Sequence, residues 1–67
     1  MIEIELNGEA YSLEASIPVS RLLTELKLKP NRVAVEINRT VIPKAEYERT
    51  IINPGDHVEV INFVGGG

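Results

Sequence analysis

Residues 2–13, IEIELNGEAYSL, set the beginning of the fold. Apolar residues alternate with glutamates over residues 2–6, which is the period of a strand with one buried face. Asn7-Gly8 is typical of a type I′ turn, the connection that joins two antiparallel strands most readily. Tyr11 and Leu13 then supply the inward face of a returning strand. Residues 2–14 therefore predict a β-hairpin.

A helix is predicted after the hairpin, because the apolar period changes. Apolar residues now recur at i, i+3, i+4 and i+7, namely Val19, Leu22, Leu23 and Leu26. Pro18 suits the first helical turn, where its missing amide hydrogen is harmless. Lys29-Pro30-Asn31 should end the helix, since proline disfavours helical geometry in the residue before it.

Two further strands are predicted in the middle of the chain. Residues 33–37, VAVEI, alternate again, and Asn38-Arg39 is suited to a tight turn. Residues 40–42, TVI, form a short strand that Pro43 ends. This part of the chain is therefore predicted to be a second hairpin.

The connection that follows is predicted to be compact. Residues 44–49, KAEYER, are expected to form a brief helical turn that places Ala45 or Tyr47 against the core. Ile51-Ile52 is expected to be buried, and residues 53–56, NPGD, are a strong turn signal.

The last predicted strand is residues 57–64, HVEVINFV. Val58 and Val60 share one face, and the other face carries His57, Glu59, Ile61 and Phe63. With one long helix across a mixed sheet of about four to five strands, the element order predicts an α+β, two-layer architecture. Residues 1–64 are predicted to be the folded domain and residues 65–67 a flexible glycine tail.

Composition excludes several classes of protein. A chain of 67 residues is expected to form one domain, and its net charge of −3 disfavours a nucleic-acid binder. No stretch is long and apolar enough to span a membrane, and the amino terminus does not resemble a signal peptide, so the expected location is the cytoplasm. The chain has no cysteine, so disulfides, thiolate metal ligands and cysteine nucleophiles are excluded.

The side chains offer little for catalysis. His57 is the only histidine, which excludes a Cys/His dyad and a multi-histidine metal site and leaves a surface strand residue as the expected role. Glu3 and Glu5 are expected to be the solvated side of a half-buried strand. No glycine-rich phosphate loop is present, so no bound nucleotide or other cofactor is expected.

The glycines at 65–67 have two interpretations. One is a frayed or artificial end without function. The other is a slender arm of at most about 10 Å, lacking Cβ atoms, that carries the carboxylate of Gly67 into the active site of a partner. There the carboxylate could attack a phosphate of ATP, with magnesium, to give an acyl-adenylate. Placement directly after a strand rich in apolar residues favours the arm.

The chain resembles the ThiS family, the sulfur carriers of thiamin biosynthesis, which are ubiquitin-like β-grasp proteins. The resemblance covers nearly the whole chain, in the segments Asn7-Gly8, 19–26, 33–48, 54–60 and VGGG at 64–67. It implies a carrier acted on by enzymes rather than an enzyme. It also implies the β-grasp fold, with no metal and no bound cofactor.

The resemblance implies a set of partners. An E1-like enzyme of the ThiF type would use ATP and magnesium to adenylate Gly67, with Gly65 and Gly66 providing a narrow approach. Sulfur from a cysteine desulfurase would replace the adenylate, and the thiocarboxylate would pass to a thiazole synthase of the ThiG type. The free carrier is expected to be a monomer.

The sequence leaves more than one interpretation open for the docking residues and for the function. Ile61, Phe63 and Val64 are predicted to dock a partner through the open side of the sheet; the alternative is that Phe63 closes the end of the core. Glu36 and Glu59 would steer a basic partner or would simply be solvated. The alternative functions are a sulfur carrier for molybdopterin or another pathway, a ubiquitin-like modifier, and a non-catalytic β-grasp binding module.

Overall fold

The computed structural model describes residues 1–63. The elements are β1 (Ile2–Leu6), β2 (Glu9–Leu13), β3 (Ile17–Pro18), α1 (Val19–Glu25), a 3-10 turn (Pro30–Arg32), β4 (Val33–Ile37), β5 (Thr40–Ile42), a second 3-10 turn (Lys44–Glu46), β6 (Ile51–Ile52) and β7 (His57–Asn62). Val64 and the glycines at 65–67 lie outside the described residues, so the predicted boundary between domain and tail stays a prediction.

Five of these strands form one mixed sheet in the order β2-β1-β7-β4-β5. β7 is parallel to β1 and antiparallel to β4, and both hairpins are antiparallel. β3 and β6 form a separate pair of two-residue strands. The prediction of an α+β fold with one main helix on a mixed sheet is confirmed, and β7 lies at the centre of that sheet.

The two hairpin turns share one backbone conformation, which the sequence predicts for Asn7-Gly8 and which Asn38-Arg39 also adopts. Asn7 and Gly8 have φ values of 51° and 85°, and Asn38 and Arg39 have φ values of 52° and 71°. Two consecutive positive φ values are the signature of a type I′ turn, whose twist matches that of the flanking strands. Arg39 therefore occupies a position that glycine fills in the first turn.

The segment before β6 holds the start of α1. Val19 N–H donates to the Thr50 carbonyl and Ser20 N–H donates to the Tyr47 carbonyl, each at 2.9 Å. These bonds satisfy two of the amides that a helix leaves unpaired at its start. Pro18 is the residue before the helix, with an extended ψ of 156°, rather than part of the first turn.

The core lies between α1 and one face of the sheet. The prediction that Tyr47 packs inward is confirmed, but Ala45 is exposed. The expectation for Ile51-Ile52 is half wrong, because Ile52 is buried while Ile51 remains 45% exposed. Successive residues of a strand point to opposite sides, even in a pair this short. The buried residues are Ile4, Leu13, Val19, Leu22, Leu23, Val33, Val35, Ile37, Tyr47, Ile52, Val58 and Val60.

Candidate functional site

The side of the sheet opposite α1 has no element packed on it in the described part of the chain. Strand parity directs Val35, Val58 and Val60 to the core, so their neighbours along β4 and β7 point the other way. We call this side the open face; it carries Glu3, Glu5, Ala34, Glu36, Val41, His57, Glu59 and Ile61.

One end of the open face is apolar. Ile61 lies opposite Ala34 in the β4–β7 register, and Ile61, Phe63 and Val41 have exposed fractions of 51%, 53% and 65%. Phe63 does not close the core, although its N–H continues the β4–β7 ladder by donating to the Arg32 carbonyl at 2.8 Å. We call Ala34, Ile61 and Phe63, together with Val41 beside Glu36 on the edge strand β5, the apolar patch. Large side chains exposed together on a monomer commonly mark a contact surface.

The other end of the open face is a polar groove. It has a volume of about 390 Å³ and is lined by Glu5, Gly8, Glu36, Arg39, His57, Val58 and Glu59. His57 Nδ1 lies 3.6 Å from Glu5 Oε2, and both side chains are about half exposed or more. His57 is therefore a surface strand residue, as the sequence predicts.

Side-chain amides from both hairpin turns position β7. Asn7 Oδ1 accepts from the Val60 N–H at 2.9 Å, and Asn38 Oδ1 accepts from the His57 N–H at 2.9 Å. Asn38 Nδ2 also donates to Asp56 Oδ1 at 3.1 Å. The sequence predicts only a turn for these asparagines, because their bonds to β7 join residues far apart in the chain.

The remaining predicted site residues are Val64 and the glycines at 65–67. Val64, Gly65, Gly66 and Gly67 lie outside residues 1–63, so their assigned roles stay predictions. Within residues 1–63, no group of three or more His, Asp or Glu side chains is arranged to hold a metal ion. Among the helices of those same residues, none is long and apolar enough to cross a membrane.

A single helix packed on a five-stranded mixed sheet, with the last strand parallel to the first at its centre, is the ubiquitin-like β-grasp fold. The crystal structure of the thiamine biosynthesis protein ThiS from Geobacter metallireducens has this fold. It superposes with a TM-score of 0.84 at 32% identity and covers 98% of this chain and 100% of that one. The family model for the ThiS family matches residues 4–67.

Sequence relatives agree with that match. The sulfur carrier protein ThiS of Bacillus subtilis is 31% identical over 96% of this chain and 98% of its own length. A thiazole synthase of Paramagnetospirillum magneticum is 39% identical over 98% of this chain, but the chain spans only 20% of that protein. The chain belongs to the ThiS family, the sulfur carriers of thiamin biosynthesis.

Proposed function

We propose that the chain carries sulfur as a thiocarboxylate on Gly67. An E1-like enzyme of the ThiF type adenylates the carboxylate, a sulfur nucleophile displaces the adenylate, and a thiazole synthase receives the sulfur. The chain acts in the cytoplasm as a carrier and a substrate of its partners, which supply the catalytic groups. The observation that carries the proposal is the family match over residues 4–67, which includes the glycines.

Two displacement steps, driven by ATP that the partner binds, would convert the Gly67 carboxylate into a thiocarboxylate. A carboxylate oxygen of Gly67 attacks the α-phosphorus of ATP, and magnesium pyrophosphate leaves. Sulfide, or an equivalent sulfur nucleophile, then attacks the acyl carbon and AMP leaves, so that one carboxylate oxygen has been exchanged for sulfur. No histidine or cysteine of the carrier is needed for either step.

The anchored end of β7 supports a role for the residues that follow it. Phe63 is held by its hydrogen bond to Arg32 and stands four residues before Gly67 in the sequence. Four extended residues span at most about 14 Å. A partner that binds the apolar patch would therefore have to place the α-phosphate of its ATP within about 14 Å of Phe63.

The apolar patch is the proposed docking site. Glycine has no side chain to recognise, so a partner must select this carrier through its folded surface. Ile61 and Phe63 are the large exposed apolar residues nearest in sequence to the proposed reactive end. We include Val64 in the docking segment because it directly follows Phe63.

Similarity to a segment of a thiazole synthase supports thiazole synthase as the sulfur acceptor. A carrier for molybdopterin would use the same chemistry at Gly67 with a different acceptor. A purified thiazole synthase that accepts sulfur from the thiocarboxylated chain would separate the two pathways.

Intact mass spectrometry tests the proposal. The chain is incubated with ATP, magnesium, sulfide and a ThiF-type enzyme, beside a variant lacking Gly67. The expected result is the mass gain of one sulfur-for-oxygen exchange, located on Gly67 and absent from the shortened variant. An unchanged mass, with the enzyme active on its own carrier, would contradict the proposal.

A further inference from the structure

Two carboxylates face each other across the centre of the open face. Glu36 of β4 and Glu59 of β7 are direct partners in the antiparallel register. Directly opposed side chains in such a pair lie close together, and like charges at these positions destabilise a sheet. Glu36 is also half-buried, which limits the screening of its charge by water.

The described structure provides no close counter-charge for this pair. Within residues 1–63, the ion pairs shorter than 4.0 Å are Arg49–Glu46 and His57–Glu5, and neither involves Glu36 or Glu59. Arg39 and His57 line the same groove, together with a third carboxylate, Glu5. Three carboxylates of the groove are therefore set against one guanidinium and one imidazole.

The opposed carboxylates lie next to the apolar patch. Ala34 and Glu36 are on the same side of β4, and Ile61 and Glu59 are on the same side of β7. On this face, the Ala34–Ile61 pair is therefore the neighbour of the Glu36–Glu59 pair along the two strands. An apolar surface with an adjoining basic side chain would cover both pairs. It would also relieve a repulsion that the free carrier retains.

We propose that Glu36 and Glu59 together receive a basic side chain of the adenylating enzyme, placed beside the apolar surface that covers Ile61. This inference rests on the proposed function and specifies the chemistry of the partner's contact surface. The carboxylate pair supplies electrostatic selectivity and a fast encounter, while the apolar patch supplies contact area. A basic side chain of that partner would offset the like charges that the β4–β7 register places opposite each other.

The test is steady-state adenylation by a ThiF-type enzyme that activates the wild-type chain, measured as pyrophosphate release at several salt concentrations. Glu36→Gln/Glu59→Gln is expected to raise KM about tenfold with kcat unchanged, because docking and not chemistry is altered. The salt dependence of kcat/KM should become shallower than that of wild type. The thermal midpoint of this variant should rise, since the opposed charges are gone.

Two further variants give matched controls. Glu25→Gln/Glu48→Gln makes the same change in net charge at exposed positions away from the groove and should change KM less than about twofold. Arg39→Gln removes the competing cation from the groove and should lower KM. Opposite effects of Glu→Gln and Arg→Gln within one groove would not arise from a purely structural role.

Three outcomes would overturn the inference. The first is a KM for Glu36→Gln/Glu59→Gln equal to that of wild type, which would leave the carrier function intact. The second is an equal rise in KM for the Glu25/Glu48 variant, which would assign the effect to net charge. The third is a lower thermal midpoint for Glu36→Gln/Glu59→Gln, which would show that the pair stabilises the free carrier. Failure of the wild-type chain to be adenylated would overturn the proposed function and this inference together.

Discussion

Asn7 Oδ1 accepts a hydrogen bond of 2.9 Å from the backbone N–H of Val60, a residue 53 positions further along the chain. The N–H of Asn7 donates in turn to the Val58 carbonyl at 2.9 Å. β1 ends at Leu6, so a turn residue continues the pairing with β7 beyond the end of the strand. Asn38 makes equivalent bonds on the other side, and β7 is therefore held between two turn asparagines.

Replacing Asn7 with alanine should lower the free energy of unfolding by about 2 kcal/mol, because the partly buried Val60 N–H loses its acceptor and alanine is strained at positive φ. For a domain of this size that is roughly 8–16 °C in thermal midpoint. Asn7→Asp keeps an acceptor and tolerates the same φ, so it should cost clearly less in the same thermal scan. Equal losses for both variants would contradict this account of the Asn7–Val60 bond.

Lys27→Gly should stabilise the chain. Lys27 has a φ of 62° after α1, where its N–H donates to the Thr24 carbonyl and the Leu28 N–H donates to the Leu23 carbonyl, the two bonds of a Schellman motif. Glycine relieves the strain of the left-handed conformation, but it also has greater entropy in the unfolded chain, which opposes that gain. The free energy of unfolding should therefore rise by about 0.5–1 kcal/mol. Urea unfolding measures it, with Lys27→Ala as the control that retains the strain and should gain nothing.

Tyr47 should make the fold sensitive to strong base. Burial raises the pKa of its phenol above the ordinary value of 10.0, and a backbone hydrogen bond from Val35 opposes that shift. The folded chain therefore holds this proton more tightly than the unfolded chain. The resulting stability is fully present below pH 10 and is lost as the pH rises through the raised pKa.

Tyr47→Phe is the variant for this pH dependence. It should change the free energy of unfolding little at neutral pH, where the phenol is protonated in both states, and its stability should fall less steeply than that of wild type above pH 10. Denaturant unfolding at a series of alkaline pH values measures both slopes. Parallel slopes for the two chains would refute the assignment to Tyr47.

Val60 and Ile61 should respond oppositely to truncation. Val60 is 8% exposed, so Val60→Ala should cost about 1–3 kcal/mol of stability. Ile61 is 51% exposed, so Ile61→Ala should change the thermal midpoint little but raise KM for adenylation by the partner. Thermal scans and adenylation kinetics on both variants separate the two roles; an unaffected KM for Ile61→Ala would remove Ile61 from the docking site.

Much of the fold follows from local patterns. The alternation in residues 2–6 and 33–37 and the helical stripe from Val19 identify elements whose apolar faces must meet. The sequence does not predict β3 and β6, because a strand of two residues is too short to show the alternation of apolar and polar residues. The hydrophobicity of Ile51 predicts a core position, whereas this residue is 45% exposed in its pairing with Pro18.

The candidate site was predictable only in part. The exposure of Ile61 follows from parity with Val58 and Val60, which the sequence displays. The cross-strand pairing of Glu36 with Glu59 depends on the register between β4 and β7, and no local sequence pattern predicts that register. The bonds from Asn7 and Asn38 to β7 also depend on pairing between distant strands, so no local pattern predicts them.

The central position of β7 also governs the order in which the protein can be assembled during synthesis. The β1–β2 and β4–β5 hairpins leave the ribosome before β7, yet neither pairs with the other except through it. Until residues 57–62 emerge, two hairpins present unpaired edges and apolar faces, the features that make nascent chains prone to aggregate. A chain cut short before His57 would thus have most of the core residues but would lack the strand that joins its two hairpins into one sheet.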